Sequence, residues 1–130
     1  MSTQRIGAFD TVAEQDYLHF YENERLKYQD VVRTLQFSHE DVAKATRVPL
    51  GSVRYDDGKI PRELRARIRE WAVLLNLVAG HFKGDTQQTV SWFTVPNPLL
   101  GDVAPRDMIR FGRYKKLYKF VLNALAENRR

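Results

Sequence analysis

Catalysis needs nucleophiles, proton carriers or metal ligands at workable spacing, and this chain offers few. Its three histidines, His19, His39 and His81, lie far apart. No two share the i, i+4 spacing that puts a metal-ligand pair on one helix face. His39 follows Ser38, a residue suited to cap a helix, and reads as a surface side chain. His81 is expected near a helix end, where an imidazole meets terminal carbonyls more readily than a substrate. Asp56-Asp57 are adjacent carboxylates, but with Gly58 behind them they spell a turn. The chain has no cysteine, which removes disulfides, thiol nucleophiles and cysteine-ligated zinc or iron–sulfur sites. It has no glycine-rich phosphate loop either. The inventory points away from an enzyme, with no catalytic residue, metal or cofactor expected, and towards recognition of another macromolecule.

The charge distribution says which end does the recognising. The 130 residues carry a net +5. Residues 1–60 hold 8 Lys/Arg against 10 Asp/Glu, residues 61–80 hold 4 against 2, and residues 81–130 hold 9 against 4. The C-terminal part is the basic one, so a polyanion or an acidic protein surface is its expected partner. A chain of this length with 43% apolar residues can bury a core without metal or disulfide staples. No apolar run approaches the roughly 20 residues that span a bilayer. Met1 to Phe9 lack the apolar stretch of a secretory signal. A cytoplasmic protein with no membrane partner is expected.

The elements that must position these residues read as helices throughout. Residues 1–24, acidic and weakly periodic around an aromatic patch of Tyr17, Phe20 and Tyr21, read as a mobile arm. From Arg25 a helical pattern places Leu26, Val31, Val32 and Leu35 near one face. Ser38 caps a second helix through Val42, Ala43 and Ala45, with Glu40 and Asp41 in its first turn. Pro49 suits the first turn of a third, and Asp56-Asp57-Gly58 stops it. Pro61 opens a long helix whose Leu64, Ile68, Trp71, Leu75 and Val78 form one stripe, closed between Gly80 and Gly84. Asp85 caps a short helix through Phe93; Pro96 to Gly101 cannot be helical; Pro105 starts a helix ending near Gly112, and a last helix runs from about Arg113 to Glu127. No alternating strand is visible. The expected architecture is all-α: arm 1–24, a small helix-turn-helix-like N-terminal module 25–60, a central connecting helix 61–82, and a helical C-terminal module 83–130.

Within the first module, Ser38 to Asp57 fits a helix-turn-helix. Ala43 stands where two helices approach closely, Val48 follows the turn, and Val53 lies five further on. Leu50 to Tyr55 is then the recognition helix. Ser52, Arg54 and Tyr55 are its reachable polar side chains, with Lys44 and Arg47 as nearby cations for phosphate. Arg47 occupies the turn position where glycine is expected. Residues 33–60 hold five Lys/Arg against four acids, Glu40, Asp41, Asp56 and Asp57, which is a small excess for a groove binder. A helical scaffold without DNA contact stays open beside the DNA-binding reading. Arg62, Arg65 and Arg69 describe the solvated face of an amphipathic helix.

The second module is more distinctive. Trp92-Phe93 precede Thr94-Val95-Pro96-Asn97-Pro98-Leu99-Leu100-Gly101, then Pro105-Arg106-Asp107-Met108-Ile109 and Gly112. The tryptophan is expected in a pocket, with the rigid Pro-Asn-Pro turn bringing the chain back over it. Pro105 and Asp107 suit a first helical turn, and Gly112 allows a sharp bend between helices. This run of residues resembles the toxin-binding domain of MbcA/ParS/Xre-type antitoxins, and the segment before it resembles their Xre-like N-terminal domain, together over about residues 25–128. The chain departs from that family at Asp102, where a second glycine is common, and at Arg47. The resemblance implies an antitoxin of a type II toxin–antitoxin module. Its partner would be a RES-domain toxin that consumes NAD and whose active site it blocks. The Xre-like half would form a homodimer and repress its own operon through operator DNA. Trp92, Pro96, Asn97 and Pro98 fall in the toxin-binding motif.

The last helix suggests a partner independently. Leu117, Phe120, Val121, Ala124 and Leu125 form one apolar stripe, and Tyr114, Tyr118 and Leu122 form a second, displaced around the axis. Either both stripes are core, or the second anchors a toxin or another subunit. Arg129 and Arg130 end the chain as a basic tail, placed to reach the mouth of a pyrophosphate-accepting pocket or to lie in solvent. Two other readings remain: a stand-alone transcriptional regulator without a toxin, and a protein-binding inhibitor with a vestigial DNA-binding module.

Overall fold

The computed structural model describes residues 15–56 and 58–128. Among these, the fold is all-α apart from one small hairpin. Six helices follow in order: α1 Tyr28–Thr34, α2 His39–Thr46, α3 Arg62–His81, α4 Thr86–Thr94, α5 Pro105–Arg110 and α6 Tyr114–Glu127. Leu64, Ile68, Trp71, Leu75 and Val78, the stripe expected on the long helix, are all buried. That helix, α3, packs against α1, α2, α4 and α6, so one continuous core runs from Phe20 to Val121. Helix α5 closes the other side against α2, α4 and α6.

Helix ends follow local chemistry. Ser38 accepts from the Asp41 amide while the Asp41 carboxylate accepts from the Ser38 amide, a reciprocal cap on α2. Asp85 accepts from the Gln88 amide and starts α4. Gly112, at φ 80°, lets the Arg113 amide return to Met108 O at 2.7 Å and its own amide to Ile109 O at 3.0 Å, which ends α5 and turns the chain into α6.

Four expectations need correction. The segment expected as a mobile arm holds structure from residue 15 onward; its earlier part lies outside the described residues. Tyr21–Glu22 pairs with Arg25–Leu26 as a two-stranded antiparallel hairpin, so the expected absence of strands also fails. Phe20 is buried, and the Asp16 carboxylate accepts from the amides of Phe20 and Tyr21 and from Asn76 Nδ2 on α3. Asn76 in turn accepts from the Leu18 amide. Tyr17 lies so close over α3 that a Cβ on Gly80 would stand 2.8 Å from its ring.

The third helix of the first module is absent. Leu50–Ser52 forms a single 3-10 turn, and the chain runs extended from Val53. Val48 and Val53 are both buried and hold the segment against the core, with Val53 already extended at φ −76° and ψ 110°. Pro98–Leu100 departs in the other direction, making a 3-10 turn in a stretch expected to be non-helical. Pro98 stands at its first position, where no amide donor is needed.

Candidate functional site

Arg47 closes α2 in the left-handed region at φ 63° and ψ 21°, as the turn position requires, with its side chain exposed. Lys44 turns instead towards the C-terminal half, with Nζ 5.1 Å from the centre of the Phe111 ring. Ser52 is half-buried, and Arg54 is exposed with Nη2 3.5 Å from Gly51 O. Tyr55 packs edge-on against His39 at 5.7 Å with its hydroxyl buried, and that burial raises the hydroxyl pKa. Ser52, Arg54 and Tyr55 therefore do not share the recognition helix expected over Leu50 to Tyr55, and Lys44 and Arg47 stand on and at the end of α2. The correction follows from the 3-10 turn at Leu50–Ser52. Arg62, Arg65 and Arg69 are exposed along α3, as a solvated face should be.

The C-terminal motif is built differently from its expected form. Trp92 is half-buried; its neighbour Phe93 is the aromatic with no exposure, their rings edge to face at 5.0 Å. The phase of α4 explains this, since Thr89 and Phe93, four apart, are its two buried residues. The Pro-Asn-Pro turn does return beside Trp92. Asn97 caps the 3-10 turn by accepting from the Leu99 amide at 2.9 Å, and its own amide donates to Val103 O at 3.1 Å. Gly101 and Asp102 both take positive φ, 75° and 63°, so Asp102 holds a backbone conformation that favours glycine. Pro96 and Pro98 are exposed on the outside of this loop.

That loop presents apolar side chains rather than hiding them. Leu99 is 79% exposed and Phe111, at the end of α5, 51%. Two grooves meet at Leu99 and Phe120. One, of about 280 Å³, is floored by Val78, Phe82, Trp92 and Leu125. The other, of about 460 Å³, is floored by Leu100, Val103, Met108 and Phe111, with Arg113 and Lys116 on its wall. Exposed apolar surface of this extent, rimmed by charge, is characteristic of protein-binding sites. Sequence reasoning missed Leu99, Phe111 and Phe120 as a set; the available signal was two successive leucines after Pro98 in a loop, of which only Leu100 packs against the core.

The two stripes of α6 divide unevenly. Leu117 and Val121 are buried, while Phe120, Ala124 and Leu125 are half-buried and border the grooves. In the second stripe Tyr114 is held by the core: its hydroxyl donates to Glu70 O at 2.7 Å, and burial, helped by the Glu70 carboxylate, raises its pKa well above the usual tyrosine range. Tyr118 is half-buried and stacks on Tyr114 at 5.9 Å. Leu122 alone of the three is exposed, at 41%. Arg129 and Arg130 lie outside the described residues.

Among the described residues no group of histidines and carboxylates could hold a metal ion, and no helix is long and apolar enough to cross a membrane. No family model matches the sequence, and no curated protein is significantly similar to it.

Proposed function

We propose that this protein works by binding another protein, as the antitoxin of a toxin–antitoxin pair. The partner is the NAD-consuming RES-type toxin that the C-terminal motif implies. One observation carries the reading: the Pro-Asn-Pro loop and the end of α5 hold Leu99 and Phe111 out in solvent beside two apolar grooves. Apolar side chains placed so cost solubility in an isolated chain and gain stability only when covered. The contact is made by α4, the Pro98–Leu100 turn, α5 and α6, and inhibition follows from covering the toxin's active-site mouth.

The test is co-expression with the product of the neighbouring reading frame, scored by co-purification and by rescue of growth. Leu99→Asp and Phe111→Asp, both at exposed positions, are expected to fold normally and to lose both capture and rescue. Full rescue by both folded variants would overturn the reading. Operator binding is tested separately. The Leu50–Ser52 turn offers no helix to a major groove, so no salt-sensitive retardation of the chain's own promoter is expected. Retardation abolished by Arg54→Ala would favour the regulator reading instead.

A further inference from the structure

The groove at α5 and α6 has a pronounced charge character that its apolar floor does not require. Two cations stand over the Phe111 ring, Lys44 Nζ 5.1 Å and the Arg110 guanidinium carbon 4.8 Å from its centre. Arg113 and Lys116 form the adjoining wall, and no carboxylate lines the groove. Asp107 bonds Arg110 Nε at 3.1 Å and Asp41 stands 3.9 Å from Arg110 Nη1, while Asp102, beside Val103 in the loop, is exposed and does not line the groove. The same wall carries the start of α6, which has no acidic residue in its first turn and no side-chain cap. Its first amides therefore add positive potential where Arg113 and Lys116 already supply it.

We infer that this groove receives an acidic segment of the partner protein, with bulky apolar side chains seated on Leu100, Val103, Phe111 and Phe120 and carboxylates meeting Arg113 and Lys116. The inference rests on the protein-binding reading above and names the chemistry of what binds. An apolar floor ringed by cations selects for a segment carrying both features and rejects a basic one, since like charges brought together without water are costly. A nucleic acid would satisfy the cations but leave the floor uncovered.

The probe is a labelled helical peptide whose leucine anchors, spaced to one face, are flanked by glutamates. Two matched peptides accompany it, one with lysines for the glutamates and one with serines for the leucines. Fluorescence anisotropy is expected to show binding of the first peptide alone. Arg113→Glu and Lys116→Glu should each weaken it by about tenfold. Lys115→Glu, on the same helix but outside the groove, should change it by less than about threefold. Equal binding of the serine peptide, or displacement by duplex DNA, would mean that charge alone is recognised and would overturn the inference. Undiminished binding by Lys116→Glu, or none of the acidic peptide at all, would overturn it as well. If toxin rescue fails in Leu99→Asp but persists in the Arg113→Glu, Lys116→Glu double variant, the antitoxin reading stands and only the acidic segment falls.

Discussion

Helix α1 ends on a residue under backbone strain, and relieving that strain should stabilise the protein measurably. Gln36 follows the helix in the left-handed region at φ 58°. Its amide donates to Arg33 O at 2.9 Å, and the next amide, of Phe37, returns to Val32 O at 3.2 Å. A residue with a Cβ costs roughly 1–2 kcal/mol in this conformation. Glycine avoids that cost but loses about 0.5–1 kcal/mol more chain entropy on folding. Gln36 is exposed and uncharged, so nothing else of size changes, and Gln36→Gly should gain about 0.5–1 kcal/mol. Gln36→Ala keeps the Cβ and hence the strain, and should change little. In urea, with a slope of about 1–3 kcal/mol/M, the glycine variant's midpoint should rise by about 0.2–1 M while the alanine variant stays near the wild type. Arg47→Gly should gain less, because a cation at the end of α2 already contributes about 0.3–1 kcal/mol through the helix dipole. A Gln36→Gly protein no more stable than Gln36→Ala would refute the argument from strain.

Phe93→Ala should cost about 3–5 kcal/mol and Trp92→Ala much less, since only Phe93 is fully buried; chemical denaturation of the two side by side decides which aromatic holds the C-terminal half together. Asp16→Ala should cost about 2–4 kcal/mol and expose Phe20, because one carboxylate accepts from two amides and from Asn76, and hydrogen exchange should show faster opening of residues 18–26. Folded Tyr114 holds its proton to higher pH than the unfolded chain, whose tyrosines ionise near pH 10, so stability complete below pH 10 should fall as pH rises beyond it. Tyr114→Phe should flatten that fall, leaving the smaller parts due to Tyr21 and Tyr55, and should cost about 1 kcal/mol at neutral pH.

What the sequence disclosed was what is decided within a turn or two of helix. Ser38 and Asp85 as caps, Gly112 as a bend and the stripe from Leu64 to Val78 all depend on neighbours within four residues, and all are as expected. The segment around Asp16 was illegible because its partner, Asn76, is sixty residues away and no periodicity announces such a bond. Leu50 to Tyr55 misled because the spacing of buried residues in a helix-turn-helix also suits a strap held down at Val48 and Val53. Trp92 and Phe93 are adjacent, and in so short a helix one residue of phase decides which ring faces inward. The candidate surface was half legible. The Pro-Asn-Pro motif marked the loop, but that Leu99 points outward follows from the Asn97 cap and the Val103 pairing, which only the folded chain brings about.

The side chain of Arg106 has a consequence for how such a protein can be inherited. From α5 its Nη1 donates to Leu35 O and Gln36 O, at 3.2 and 3.0 Å, two carbonyls at the end of α1 some seventy residues earlier. A guanidinium in α5 thus completes the end of a helix in the opposite half of the sequence. Recombination that swapped the C-terminal half for another's would succeed only where the incoming chain brought an equivalent donor and the resident half ended its first helix at the same place. The exposed loop and groove should therefore change freely by point substitution, while a crossover between α1 and α5 should cost stability.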